Sequence, residues 1–255
     1  MRDSYVEGRN AVIEALRAGT PLDKVYIAKG NSDAPGAQSP LNYIASQARA
    51  AGTVVVDVDR RKLDSMSSTG AHQGVVAVVS AAAYVDVKDI LARAEARGEQ
   101  LLVVVCDEIS DPHNLGAIIR TAEAAGAHGV IIPKRRAAGL TAIVAKASAG
   151  AAFHLPIARV ANITQTLETL KKQGVWIYGS ASDGEKTLWE TEFSGAVAIV
   201  VGSEGDGMTR LVRETCDFVA RIPMAGRVSS LNASVSASLL LYEAVRQRGK
   251  SNTQD

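Results

Sequence analysis

The sequence predicts an α/β protein of two domains, the second of which contains a mostly parallel sheet. The chain has 255 residues, which exceeds the roughly 100 to 200 residues of a single domain. Short β-branched runs alternate with amphipathic helical segments, a rhythm typical of parallel sheets covered by helices. The pattern of residues along the chain changes near Ser80. We therefore expect a first domain over residues 1–80 and a second over residues 86–250.

The first 80 residues alternate helix and strand. A helix is predicted for GRNAVIEALRAG, because its apolar residues have helical spacing and it ends at Gly19. KVYIA follows as a predicted strand. A loop with Gly and Pro at 30–40 precedes a helix over 41–51. TVVVDV, a short helix opened by Asp59, and GVVAVV then complete an αβαβαβ unit whose strands are rich in β-branched residues. This pattern predicts a small three-layer domain.

The second domain follows a charged helical stretch within residues 81–100. Its strands are expected at LLVVVC, GVIIP, VWIYGS, VAIVVG and DFVARIP, and its helices at 114–125, 141–147, 163–173 and after the last strand. Strands that alternate with helices in this way predict a mostly parallel sheet covered on both faces.

Composition narrows the class of protein. Hydrophobic residues make up 47% and charged residues 22%, which is an ordinary globular balance. The longest aliphatic runs, at 101–106 and 197–201, are far shorter than the roughly 20 residues of a membrane helix. The N-terminus has no apolar signal segment, so we expect a cytoplasmic protein. Cys106 and Cys216 lack metal-ligand spacing, so we expect no metal site and interpret both as small buried hydrophobes.

The net charge is only +1, so the strong overall basicity of many nucleic-acid-binding proteins is absent. Any contact with RNA must therefore be local. The clearest local excess is Lys134, Arg135 and Arg136, for which a solvated charge run is an equally good interpretation.

Ligands of open parallel sheets bind outside the carboxyl ends of the strands, so the loops that follow the strands are the candidate sites. The loop after LLVVVC enters a helix that carries Asn114 and Arg120. A structural interpretation is available, in which Asp111 or Asn114 caps the helix and Arg120 pairs with Glu123. By itself this segment is weak evidence for a site.

A second loop, GSEGDG at 202–207, places three glycines after a buried strand. The order G-x-x-G-x-G is neither the dinucleotide fingerprint nor a phosphate loop, which disfavours a nicotinamide enzyme and an NTPase. Glu204 and Asp206 would repel phosphates, so a ligand with cationic character fits better. The alternative is a tight turn with Glu204 solvated.

A third loop leads into the last helix. Its sequence places five polar residues close together: Ser230, Asn232, Ser234, Ser236 and Ser238. Such residues compete with helical backbone hydrogen bonds and are costly without partners. Ser230 is a candidate helix cap. The other four indicate either a binding role or a face of small side chains packed against another backbone.

These three segments, in this order, resemble the signature of the SpoU/TrmH class of RNA ribose 2′-O-methyltransferases, a branch of the SPOUT superfamily. The matching positions are Asn114, Gly116 and Arg120, then Gly202, Glu204, Gly205 and Gly207, then the run over 222–234. The first domain resembles the L30e-like substrate-binding module of part of this class, including EGRNAV and AHQGVVA. The resemblance covers residues 5–248 and is greatest to enzymes that methylate a guanosine of bacterial 23S rRNA.

The resemblance implies transfer of a methyl group from S-adenosyl-L-methionine to a ribose 2′-hydroxyl of RNA. It also implies a homodimer and a trefoil knot in the C-terminal segment. The implied cofactor-binding residues are Gly202, Ile222, Met224 and Leu231. The implied residues around the reacting ribose are Asn114, Arg120, Glu204, Ser230, Asn232 and Ser234.

The class assigns activation of the hydroxyl to the arginine at position 120. A guanidinium has a pKa above about 12 and rarely gives up its proton. We therefore expect Arg120 to stabilise developing alkoxide charge or hold the adjacent phosphate, and to act as a base only if the site depresses its pKa. Asn114 and Ser230 would orient it and the ribose, while Glu204 could organise the glycine-rich turn.

In the first domain, recognition of folded RNA is expected through residues such as Arg9, Asn10, His72 and Gln73, or these residues form a packed helix start and a turn. Three other functions stay open: a tRNA methyltransferase, an antibiotic-resistance rRNA methyltransferase, and a non-catalytic RNA-binding protein of ribosome assembly. The first domain disfavours the tRNA enzyme, because the simplest tRNA enzymes of the class lack it.

Overall fold

The computed structural model describes residues 5–29, 39–67 and 69–251, of which residues 250 and 251 are described by backbone alone. Most of the loop expected at 30–40 lies outside these ranges. The chain divides into two compact units, Met1–Ala83 with Gly139–Ile143 and Tyr84–Ala138 with Val144–Asp255.

The first unit is built on a four-stranded sheet. Its elements are β1 (Tyr5–Glu7), α1 (Arg9–Arg17), β2 (Leu22–Ala28), α2 (Pro40–Ala50), β3 (Val54–Val58), α3 (Arg60–Met66) and β4 (Val75–Val79). The strand order is β1-β4-β2-β3. β2 and β3 are parallel, whereas β4 is antiparallel to both of its neighbours. The expected αβαβαβ succession was wrong at its start, because β1 has three residues and is too short to show a periodic pattern.

Local capping residues define ends of two helices in this unit. Ser39 caps α2 by accepting a hydrogen bond from the backbone N–H of Leu41, and Pro40 occupies the first helical turn. Gly19 follows α1 with a φ of 67°, a conformation that favours glycine. α1 and α2 contribute Val12 and Ile44 to a core that also contains residues of β2 and β4.

The second unit contains the remaining elements, apart from residues 142 and 143 at the start of α6, which belong to the first unit. They are α4 (Val87–Arg97), β5 (Leu102–Cys106), α5 (Pro112–Ala124), β6 (Gly129–Pro133), α6 (Ala142–Ala147), β7 (Ile157–Val160), α7 (Ile163–Lys172), β8 (Trp176–Ser180), β9 (Lys186–Thr187), β10 (Val197–Val201), α8 (Arg210–Thr215), β11 (Phe218–Arg221) and α9 (Ala233–Ser251).

The seven strands of this unit form one sheet in the order β7-β6-β5-β10-β8-β11-β9. Every neighbouring pair is parallel, which confirms the predicted mostly parallel sheet. The sequence did not predict β7 and β9. The four residues of β7, IARV, include an arginine, and β9 has only two residues. Since all strands are parallel, the loops after β5, β10 and β11 share one edge of the sheet.

The buried strands β5 and β10 form the centre of this sheet, and all five residues of each are buried. Cys106 belongs to this core, and its burial raises the pKa of its thiol to about 12. Cys216 packs against Met208, with 4.0 Å between the two sulfurs. Cys106 is therefore the buried hydrophobe that the sequence indicated, whereas Cys216 is only partly buried. Burial raises the pKa of the Cys216 thiol to about 12 as well. No helix among the described residues is long and apolar enough to cross a membrane.

Candidate active site

The glycine-rich segment after β10 is a closed turn. Ser203 and Gly207 exchange two backbone hydrogen bonds of 3.0 Å each. A Cβ at Gly202 would lie 2.0 Å from the carbonyl carbon of Gly207, a distance no side chain tolerates. Gly207 has a φ of 68°. Glycine is thus required at 202 by close backbone approach and favoured at 207 by backbone conformation.

Asp107 holds this turn from the neighbouring strand. It lies at the end of β5, is buried, and accepts a hydrogen bond of 2.6 Å from the backbone N–H of Thr209. Burial raises the pKa of this carboxyl, and the hydrogen bonds from Thr209 oppose that rise. The sequence interpretation missed Asp107, although an acidic residue directly after a fully buried strand was a usable signal.

A cavity of about 500 Å³ opens beside the turn. All four expected cofactor residues line it: Gly202, Ile222, Met224 and Leu231. Glu204 and Ser230 also line it, as do residues that the sequence did not single out, among them Ser180–Asp183, Met208 and Arg213. Arg213 makes two hydrogen bonds to Asp183, of 2.7 and 3.0 Å, at the cavity wall.

A polar network joins the three candidate segments. Asn114 donates through Nδ2 to Oε1 of Glu204 at 2.9 Å. Asn232 donates to Oδ1 of Asn114 at 2.9 Å and also to Oε1 of Glu204. Asn114 is buried on α5, whereas the other two residues belong to loops. Asn114 thus forms one hydrogen-bonded cluster with Glu204 and Asn232, although these two residues lie 90 and 118 positions further along the chain.

The start of α9 differs from the expected one. Ser230 does not cap it, because the helix begins at Ala233 and Oδ1 of Asn232 accepts from the backbone N–H of Ser234 at 2.9 Å. The hydroxyl of Ser234 also donates to that oxygen, at 2.6 Å. Ser238 instead contacts α5, with 3.1 Å between its hydroxyl and that of Thr121. Asn232 therefore serves two purposes, as helix cap and as donor to the network.

Arg120 lies apart from this network. It is exposed on α5, is not among the residues that line the cavity, and forms no hydrogen bond or ion pair with the residues that the structure describes. The alternative pairing with Glu123 was wrong. The other alternative for this segment was a helix cap by Asp111 or Asn114. It was right in part, since Asp111 caps α5 by accepting from the N–H of His113 at 2.9 Å.

The basic run after β6 is partly neutralised. Arg136 has a φ of 56° and forms an ion pair of 3.2 Å with Glu108. Arg135 is exposed beside it. A solvated charge run remains an adequate interpretation of this segment.

In the first unit, His72 is a structural residue. Only 1% of it is exposed, its Nε2 lies 2.9 Å from a carboxylate oxygen of Asp64, and its Nδ1 accepts from the N–H of Gly74 at 3.0 Å. His72 therefore fits the alternative interpretation, in which it belongs to a turn. Gln73 is exposed and Arg9 is half-buried, and a hydrogen bond of 3.1 Å runs from Nε of Arg9 to the carbonyl oxygen of Gln73.

We expect Asn232→Asp to destabilise the network in a pH-dependent way. The substitution keeps the oxygen that caps α9 but replaces the donor to Glu204 by a second carboxylate. The repulsion should lower the free energy of unfolding at pH 8 by about 1–3 kcal/mol. Each carboxylate raises the pKa of the other, so stability should fall as pH rises through the raised pKa and recover towards pH 5. Urea unfolding at several pH values measures both effects.

Asn162→Asp is the matched control for that substitution. Asn162 caps α7 by accepting from the N–H of Gln165 at 3.0 Å, and an acidic cap is favourable at a helix N-terminus. This variant should keep its stability at pH 8. Equal losses in both variants would mean that Glu204 does not interact with position 232.

The cavity suits a ligand with cationic and apolar parts. Its volume lies within the usual range of small-molecule sites, about 300–1,000 Å³. Glu204 and Asp206 supply carboxylates to its wall, where the Asp183 carboxylate is already paired with Arg213. Ile222 and Leu231 supply apolar surface. This combination matches S-adenosyl-L-methionine, which joins a flat apolar base to a sulfonium and an ammonium group.

Comparison with known protein families agrees with this geometry. Residues 101–242 match the SpoU rRNA Methylase family, and residues 5–85 match the family described as RNA 2′-O ribose methyltransferase substrate binding. YacO of Bacillus subtilis, assigned to the TrmH family of tRNA/rRNA methyltransferases, is 48% identical over 244 residues, which cover 96% of each chain.

Solved structures give the same result. The SpoU methyltransferase AviRb of Streptomyces viridochromogenes, solved with S-adenosyl-L-methionine, is 28% identical with a TM-score of 0.61 over 97% of this chain and 91% of its own. An rRNA methyltransferase of Sinorhizobium meliloti with the same cofactor is 27% identical with a TM-score of 0.57 over 96% and 87%. The chain therefore belongs to the SpoU/TrmH family of S-adenosyl-L-methionine-dependent RNA methyltransferases.

Proposed function

We propose that this enzyme methylates the ribose 2′-hydroxyl of a guanosine in 23S rRNA, as enzymes of the RlmB type do, in the cytoplasm. The observation that carries the ribose assignment is the hydrogen-bonded cluster of Asn114, Glu204 and Asn232. Glu204 belongs both to this cluster and to the cavity wall. A hydroxyl bound beside the cluster would therefore lie next to the cofactor site.

The reaction needs accurate positioning more than covalent help from the protein. S-adenosyl-L-methionine supplies a methyl group activated by its sulfonium. The 2′-oxygen must approach that methyl carbon in line and lose its proton as the new bond forms. Amide groups suit this task, because they donate to and accept from a ribose without competing for its proton. We assign contact with the ribose to Asn114, which keeps one amide hydrogen and one lone pair of Oδ1 for it, with Ser230 and Ser234 beside it. Asn232 positions Asn114, because its two amide hydrogens are used by Asn114 and Glu204.

Glu204 fixes the two amides in this proposal. A carboxylate accepts hydrogen bonds only, so both Nδ2 groups turn towards it. Oδ1 of Asn232 is committed to the start of α9. The orientations of both side chains are thus determined by partners on the protein, before substrate arrives.

Arg120 has a different role. It has no partner among the described residues, and its exposed guanidinium is free to bind an RNA phosphate or the alkoxide that develops at the 2′-oxygen. We assign it charge stabilisation and not proton abstraction, since a guanidinium in water holds its proton firmly.

We further propose the architecture that the resemblance implied. The first unit would be an L30e-like RNA-binding module over residues 1–80, and the second a SPOUT domain over residues 86–250 with a trefoil knot. The all-parallel sheet, in which β10 lies between the earlier strands β5 and β8, is compatible with this architecture.

A homodimer is also proposed. Val235 and Tyr242 are about half exposed and lie seven residues apart on α9, so they share one face of the helix. A second copy of the chain would cover these two exposed apolar side chains. Light scattering of the purified protein measures the oligomer directly.

The rRNA assignment is tested by mapping ribose methylation in RNA from cells with and without the gene. We expect one guanosine of 23S rRNA to lose its 2′-O-methyl group when the gene is absent. In vitro, a 23S fragment should accept labelled methyl from the cofactor, and the same fragment with a 2′-deoxy sugar at that guanosine should accept none. Labelling of the deoxy fragment would exclude the ribose as acceptor, and labelling confined to tRNA would favour the tRNA alternative.

The antibiotic-resistance alternative predicts a different position. In that case the mapped nucleotide would lie in a drug-binding region of the ribosome, and loss of the gene would lower the drug concentration that stops growth. The non-catalytic alternative is opposed by the complete hydrogen-bonded cluster.

A further inference from the structure

The four strands of the first unit bring several chain segments to one edge of its sheet. The backbone N–H of Gly8, after β1, donates to Val75 at the start of β4. The N–H of Ala28 at the end of β2 donates to Gly74, and that of Lys29 donates to Val58 at the end of β3. The ends of β1, β2 and β3 and the start of β4 therefore meet.

This edge carries a concentration of positive charge. We define the basic edge as five residues that follow those strand ends: Arg9, Lys29, Arg60, Arg61 and Lys62. All are exposed except Arg9, which is half-buried on α1. Within the described part of the chain, Lys29 and the three basic residues of α3 form no ion pair and no side-chain hydrogen bond.

Two acidic residues of the same edge are engaged by neighbouring side chains. Glu7 accepts hydrogen bonds from the hydroxyls of Ser67 and Thr69. Asp64 binds His72. The remaining acids, Asp57 and Asp59, lie at the end of β3 and before α3. Among the described residues of this edge, the five cations therefore outnumber the four carboxylates by one.

The opposite edge is different, because its cations are largely paired. Arg17 forms an ion pair of 2.8 Å with Glu14, and Lys24 lies 3.9 Å from Asp23. The charge asymmetry therefore distinguishes the two edges of this unit.

The stability of α3 does not explain its basic residues. Arg60, Arg61 and Lys62 occupy the first turn, in which the only acidic neighbour within the described residues is Asp59 at the N-cap. Cations near a helix N-terminus are unfavourable, because the helix dipole places positive charge there. A polyanion bound at this edge would offset the repulsion.

We propose that the basic edge contacts the phosphate backbone of the RNA substrate, an inference that rests on the proposed function. Phosphate contacts from lysine and arginine position an RNA without reading its sequence. Arg9 is held by Gln73 and would give one contact of fixed geometry, whereas the side chains of α3 can adapt. His72 is buried beside the edge, where Asp64 and the N–H of Gly74 hold its ring.

The test measures RNA affinity against salt concentration for the full-length protein and a 23S rRNA fragment. Arg60→Ala/Arg61→Ala/Lys62→Ala should bind about tenfold or more weakly near physiological salt. The slope of log affinity against log salt should fall by about 0.7–0.9 for each phosphate that the variant no longer binds. KM for RNA should rise, while kcat at saturating RNA and cofactor affinity should stay at the wild-type values.

Arg49→Ala is the matched control. Arg49 is an exposed cation in the last turn of α2, at the opposite edge of the sheet, and its removal should leave affinity and slope unchanged. Thermal unfolding shows whether the triple variant is folded. If it is not, Arg60→Ala and Lys62→Ala are measured singly, and each should lower the slope by about 0.7–0.9.

The outcomes separate this inference from the proposed function. A wild-type slope in the folded triple variant, or in both single variants, would show that the basic edge does not contact the RNA. That result would not affect the proposed methylation site. A lowered slope in an enzyme that methylates no 23S rRNA would support the edge and refute the rRNA assignment. An equal decrease in Arg49→Ala would overturn the proposal, because the RNA would then have no preference for this edge.

Discussion

Replacement of Arg120 by alanine is expected to lower kcat by about 10²–10³-fold while the affinity for S-adenosyl-L-methionine changes by less than about twofold. The guanidinium is exposed on α5, has no partner among the described residues and does not line the cavity. Its removal should therefore affect neither the packing of the protein nor the cofactor. In the proposed role of Arg120, what the substitution removes is the positive charge that binds an RNA phosphate or the developing alkoxide.

Two measurements together test this prediction, since single-turnover methylation reports the chemical step and calorimetry reports cofactor binding. Arg210→Ala is the control, because Arg210 is another exposed arginine of the same unit, paired with Glu214 on α8 at 2.8 Å. It should retain full activity.

Arg120→Lys separates charge from shape. Lysine keeps the charge but not the planar fork, so an intermediate rate would indicate charge stabilisation, and a rate as low as that of alanine would indicate two-pronged binding of a phosphate. If Arg120→Ala weakens cofactor affinity and turnover to the same extent, Arg120 is structural and its assignment to the ribose is wrong.

Gly202→Ala should have the second-largest effect, on the cofactor. A Cβ at this position would lie 2.0 Å from the carbonyl carbon of Gly207 and 2.1 Å from the backbone nitrogen of Met208. Backbone atoms cannot move aside as a flexible side chain can, so the turn would have to open. We expect a cost of about 1–3 kcal/mol, which corresponds to roughly 5- to 150-fold weaker cofactor binding if the opened turn is what the cofactor contacts.

Gly205→Ala is the control from the same turn. A Cβ there meets no atom within 4 Å, and Gly205 does not have a positive φ. Calorimetry with S-adenosyl-L-methionine should show wild-type affinity for Gly205→Ala and weak binding for Gly202→Ala. Wild-type binding by both variants would show that the closed turn is not needed for the cofactor, and weak binding by both would indicate a general requirement for flexibility.

Local sequence patterns predicted the elements that are long and regular. The strands β5 and β10 were recognisable from the sequence, because a run of five consecutive apolar residues is expected in the interior of the protein. The strands β1 and β9 were not predictable, because runs of three and two residues carry no period. Their pairing depends on neighbours that are distant in the chain, β4 and β11.

The site was predictable in its location and less so in its details. The loops after β5, β10 and β11 were selected because parallel strands end at one edge of the sheet. Ser230 was a reasonable cap by residue type, yet Asn232 caps α9 because the network fixes its side chain. The role of Asp107 was missed because its partner, Thr209, lies 102 residues further along the chain.

The sequence by itself determined that the protein is α/β, that its second sheet is mostly parallel, and that three loops carry the unusual chemistry. Its resemblance to one family supplied the methyl donor. Only the tertiary structure decided which side chains meet: Asn114 with Glu204 and Asn232, and the strand ends that form the basic edge. The physical reason is that periodicity and propensity act over a few neighbouring residues, whereas hydrogen bonds and charge clusters join residues that only the folded sheet brings together.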